Sequence, residues 1–106
     1  MAEIKVNKDQ WEAITTDEQA AIFDGLRKTG AIKIGDRIVA DPVASPFTED
    51  MEMEPMWNPL KDLCKAACDV AAATGAAWCT ANTVGLGLVA CLAASEAARR
   101  VCRDRC

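Results

Sequence analysis

The sequence contains no histidine and no tyrosine. That removes imidazole bases, Cys-His and Ser-His nucleophile pairs and His-containing zinc sites from the chemistry the chain could carry. No other catalytic constellation takes their place, so the expectation is a non-enzymatic protein with no catalytic residue, no cofactor and no metal. An apolar run is missing from Met1–Gln19, which is charged throughout, so export by the general secretory signal is not expected. The one long uncharged stretch, Val70–Ser95, is broken by Thr74, Gly75, Thr80, Asn82, Thr83, Gly85 and Gly87. It reads as two helices meeting at a turn rather than one membrane span.

What is present is unevenly distributed. Residues 1–56 carry six basic and twelve acidic side chains, a net of −6, whereas residues 57–106 carry six basic and four acidic, a net of +2. All four prolines lie between residues 42 and 59, among Asp41, Glu49, Asp50, Glu52 and Glu54. That mixture favours solvated, extended, protease-accessible chain. Three regions follow: an acidic module over 1–41, a Pro/acidic linker over 42–59, and a cysteine-bearing segment over 60–106.

The first region predicts a tiny α+β module. Glu3-Ile-Lys-Val6 alternates as a half-buried strand, and Asn7 can cap a brief helix through Trp11 and Ile14. Thr16-Asp-Glu-Gln19 reads as a capping box for a second helix with Ile22, Phe23 and Leu26 on one face and Gly30 as its stop. Ala31–Ile34 and Arg37–Ala40, joined by Gly35-Asp36, read as a β-hairpin with a type II′ turn.

The six cysteines carry the strongest signal. Cys64, Cys68, Cys79, Cys91, Cys102 and Cys106 are separated by three, ten, eleven, ten and three residues, a spacing that reads the same in both directions about Gly85. The numbers in each symmetric pair sum to 170, the condition for facing positions on two antiparallel helices. At about 100° per residue the cysteines of each helix also fall on one face. Three nested disulfides follow: 64–106, 68–102 and 79–91. A disulfide brings Cα atoms to about 5.5 Å, so the seam between the bridges must be small. Ala72 is expected opposite Ala98, Gly75 opposite Ser95 and Ala76 opposite Ala94. Metal ligation leaves the lone Cys79 and Cys91 unexplained, and free buried thiols need no mirrored spacing.

With the seam filled by small residues, Leu63, Val70, Trp78, Leu88, Val89, Leu92 and Val101 must point away from it. An apolar surface of that kind calls for a partner: the amino-terminal module, a second copy or a membrane. Trp78, Leu86, Leu88, Val89 and Leu92 are the candidate apolar contacts, and Lys61, Lys65, Arg99, Arg100, Arg103 and Arg105 the candidate contacts for an anionic surface. The inner loop of 13 residues between Cys79 and Cys91 contributes about 3 kcal/mol through chain entropy, enough to hold the hairpin together when detached.

Cys64-Lys-Ala-Ala-Cys68, the uncharged middle through Cys91, and Cys102-Arg-Asp-Arg-Cys106 resemble the cores of cysteine-rich bacteriocin precursors of the halocin type, in which a leader precedes a compact helical disulfide core. The paired CxxxC motifs are also similar to those of plant antimicrobial hairpins and of chaperones of the mitochondrial intermembrane space. The first resemblance implies a secreted antimicrobial peptide, an acidic leader and an export and processing machinery. Both imply folding in an oxidising, extracytoplasmic compartment. The alternative is a non-enzymatic extracytoplasmic binding or adaptor protein that docks a protein partner through the same apolar face.

Three other features read as ordinary structure. Met51-Glu-Met-Glu-Pro-Met56 has thioether spacing that can bind Cu(I) but suits a plain linker better. The helix–helix–hairpin order of residues 8–40 has the outline of a winged DNA-binding module, yet its local charge is acidic, so no nucleic-acid partner is expected. Trp78 suits either a membrane-interface anchor or a contact with the module.

Overall fold

The computed structural model describes residues 3–47 and 63–105. In chain order the elements are β1 Glu3–Asn7, α1 Lys8–Glu12, α2 Thr16–Thr29, β2 Arg37–Asp41, α3 Leu63–Asn82 and α4 Gly85–Asp104. β1 alternates as its sequence requires, burying Ile4 and Val6 between exposed Glu3 and Lys5. The Asn7 side chain accepts from the Gln10 backbone N–H at 3.0 Å and opens α1, which buries Trp11 and stops at Glu12; Ile14 is buried just beyond. α2 starts one residue earlier than the sequence suggests. Thr15 is its N-cap, Thr15 and Glu18 form a reciprocal capping box, and Gly30 ends the helix at φ 85°.

The expected β-hairpin does not form. β2 pairs with β1 in parallel, Glu3 opposite Arg37 through Asn7 opposite Asp41, and the helices between them supply the crossover a parallel pair needs. Ala31 and Ile32 are both buried, which a half-exposed strand cannot do with consecutive residues, and Ile34 points into solvent. The Ile32 N–H donates to the Leu26 carbonyl, tucking this segment back under α2. Gly35, at φ 90°, is the third residue of a Lys33–Asp36 turn closed by the Asp36 N–H. It therefore serves the position where a type II turn needs positive φ, not the first position of a type II′ loop.

α3 and α4, 20 residues each, form the expected antiparallel hairpin. Cys68–Cys102 and Cys79–Cys91 bridge them, each with Cα atoms 5.7 Å apart. The third expected bridge ends on Cys106, outside the described residues; among the described residues no cysteine is free. The close approach is permitted by a seam of buried Ala72, Gly75, Ala90, Ala94 and Ala98. Ser95 lies opposite, and its hydroxyl donates to the Ala72 carbonyl at 2.9 Å. The reversal falls on Thr83 and Val84, immediately before the mirror centre, and Gly85 opens α4 at φ 59°. Thr83 closes α3 by donating both its N–H and its hydroxyl to the Cys79 carbonyl.

Module and hairpin share one core. β1 packs on α4 and α2 on α3, so Ile4, Val6, Ile22 and Leu26 join Cys79, Cys91, Ala90, Ala94 and Ala98 in a single cluster.

Candidate functional site

Among the candidate contacts, Trp78 and Arg105 meet the module directly, at Gly25 and Asp36. Trp78, Leu88, Leu92 and Val101 are partly buried against the shared core. Trp78 occupies a hole that α2 provides by carrying glycine. A Cβ built at Gly25 would lie 2.1 Å from the indole, a distance no packed structure tolerates. Gly75 is the matching close approach on α3, where a Cβ would meet Ala31 at 2.9 Å and Leu26 at 3.0 Å on one side and Ser95 at 3.0 Å on the other. Three segments, one from the module and two from the hairpin, therefore meet at a residue that has no side chain.

Other candidates are not covered. Leu86 is 64 % exposed at the hairpin tip beside Val84, Val89 is half-buried but outside the core cluster, and Leu63 and Val70 face solvent on α3. The apolar face expected from the sequence is thus divided: Trp78 lies under the module, and another part is left exposed at the tip and along α3. Beside the tip, α2 and the hairpin enclose a groove of 390 Å³ lined by Glu18, Ile22, Trp78, Asn82, Thr83 and Val84. Among the described residues no helix is long and apolar enough to cross a membrane.

The basic end is also more engaged than its composition suggests. Arg99 bonds Asp69 at 3.1 Å and Glu96 at 2.8 Å, and Arg103 takes the other oxygen of Asp69 at 2.8 Å. Burial by itself would lower the Arg99 pKa, but the hydrogen bonds it donates to Glu96 and Asp69, with their negative charge, outweigh it and raise the pKa above the ordinary arginine value. Arg100 lies 3.6 Å from Glu96 and is mostly solvated. Arg105 reaches across to the module and binds the buried carboxylate of Asp36 at 2.6 Å. Lys65 is half-buried, Cys64 is exposed, and Lys61 and the methionines at 51, 53 and 56 lie outside the described residues.

Asp69, Glu96, Asp36 and Gly25 were not singled out from the sequence. Two of them had a usable signal. Glu96 stands three and four residues before Arg99 and Arg100, the spacing of helical ion pairs. The mirror rule places Asp69 opposite residue 101, midway between Arg99 and Arg103. Asp36 and Gly25 had none, because their partners are 69 and 53 residues away in the chain.

Two side-chain amides fasten the segment that leaves the module. The Asn7 amide donates to the Ala44 carbonyl at 3.0 Å, while Gln10 donates to the Phe47 carbonyl at 2.9 Å and accepts the Phe47 N–H at 2.7 Å. The arrangement as a whole buries, neutralises and clamps. Comparison with known protein families, curated proteins and solved structures found no match to this chain.

Proposed function

We propose that the chain is the precursor of a secreted, membrane-active antimicrobial hairpin, bacteriocin-like in plan, whose amino-terminal acidic module masks the hairpin until it is removed. The observation that carries this reading is the docking of the module on the hairpin's apolar face, with Trp78 seated over Gly25. Disulfides at Cys68–Cys102 and Cys79–Cys91 fit folding in an oxidising, extracytoplasmic environment. A third at Cys64–Cys106 would complete the nest and fix the ends of both helices. Removing the module would uncover Trp78 and free Arg105 from Asp36, leaving a stapled, net-positive hairpin suited to anionic lipid.

Cosedimentation with vesicles tests this reading. The oxidised hairpin, separated from the module, should pellet with phosphatidylglycerol vesicles and not with phosphatidylcholine vesicles, and should inhibit bacterial growth. An oxidised, helical hairpin that does neither sinks it. The second reading, an extracytoplasmic binding protein in which the module is a permanent part, is favoured by the continuity of the core across both halves. In that case the intact chain, not the detached hairpin, would be the active species.

A further inference from the structure

We propose that the amino-terminal module is a binding protein for the hairpin in its own right: once the chain is cut within residues 48–62, residues 3–47 stay bound to the stapled hairpin as a separate polypeptide. Cutting would then arm the molecule without releasing it, and unmasking would be a second, dissociative step. The inference rests on the masked-hairpin reading for its biological meaning, but its test reads association and not membrane activity.

Three observations support it. The described residues on the two sides of the cut region contact one another directly. β1 packs on α4, α2 packs on α3, Leu26 and Ala31 close on Gly75, and Asp36 binds Arg105. The new end of the module would also be fastened, since Gln10 holds both backbone groups of Phe47 and Asn7 holds Ala44. Finally, the halves are of opposite net charge, −6 over residues 1–56 and +2 over residues 57–106, which speeds encounter and favours re-association. Cutting a short tether replaces an effective concentration of order millimolar by the true concentration, so the interface alone must then hold the pair. The Trp78 knob over Gly25 is the best candidate for its energetic centre, because buried tryptophans in fitted pockets dominate such surfaces.

The test uses the full chain with a protease recognition sequence inserted between Glu54 and Pro55. After cleavage under oxidising conditions at micromolar concentration, the two fragments should elute together from a gel-filtration column at the volume of the uncut chain. They should separate only in denaturant. Separation in plain buffer overturns the proposal. In the cut protein, Gly25→Val should abolish co-elution by placing its side chain in the Trp78 ring, and adding Trp78→Ala should restore it in part. Arg105→Ala, which leaves the core untouched, should speed fragment exchange by about tenfold, the equivalent of about 1.4 kcal/mol. Co-elution indifferent to all three variants would also overturn it, since the association would not be the one described. Co-elution with a hairpin that proves inert toward membranes would leave this inference standing and sink the membrane reading.

Discussion

Two kinds of residue set the close contacts: those with no side chain and those with a buried charge. Gly75 sits where α2, α3 and α4 converge, and a helix interior ordinarily gains about 1 kcal/mol when glycine gives way to a better helix former. Here the space is missing. Gly75→Val should therefore destabilise the oxidised chain by about 1–3 kcal/mol through overpacking, read as a lower urea midpoint. Glu96 is the second test. Its side chain is only 6 % exposed and holds Arg99, which is itself mostly buried. Glu96→Ala should cost about 1–3 kcal/mol, because a buried guanidinium loses a charged partner, while Glu96→Gln should recover part of that. The pKa of Arg99 is raised in the folded state. The stabilisation this represents is complete below the unfolded-state value and is lost only as pH climbs through the higher folded value. Titration up to about pH 10 should leave it intact, as circular dichroism melts can show.

At the scale of elements, the hairpin is defined by its staples and the module by its caps. Cys79 and Cys91 are fully buried, whereas Cys102 is only partly so. Thiolate attack needs access, so limited reductant should open Cys68–Cys102 before Cys79–Cys91; alkylation and peptide mass mapping would show the reverse order if burial does not govern it. Thr15→Ala should cost about 1 kcal/mol by removing the cap of α2, measured in the same urea assay. The elements differ in how readable they were. Both strands, both module helices and the two bridges followed from local patterns: alternation at Ile4 and Val6, the Thr and Gly helix signals, and mirrored cysteine spacing. Strand pairing did not, because Gly35 fits two turn types equally well in sequence. The burial of Ala31 and Ile32, with Ala31 packed at Gly75 of α3 in a long-range contact, decides between them. Likewise the ion pairs within the hairpin were within reach of spacing rules, while the Trp78–Gly25 and Arg105–Asp36 contacts depend on docking that no local pattern records.

The molecule as a whole joins two halves of opposite charge through a shared core, and the hairpin face that the module covers is the proposed working surface. Val84 and Leu86 at the tip with Leu63 and Val70 on α3 stay exposed, while Trp78 is covered by α2. The intact chain should therefore be the quieter species toward membranes even though its disulfides are already formed. Dye release from vesicles containing phosphatidylglycerol measures this most directly, with intact chain, cut but undissociated chain, and hairpin separated in denaturant compared at equal concentration under oxidising conditions. A masked hairpin gives release in its separated form and little in the other two. Equal release by all three, or none by a separated hairpin that remains helical and oxidised, would contradict it.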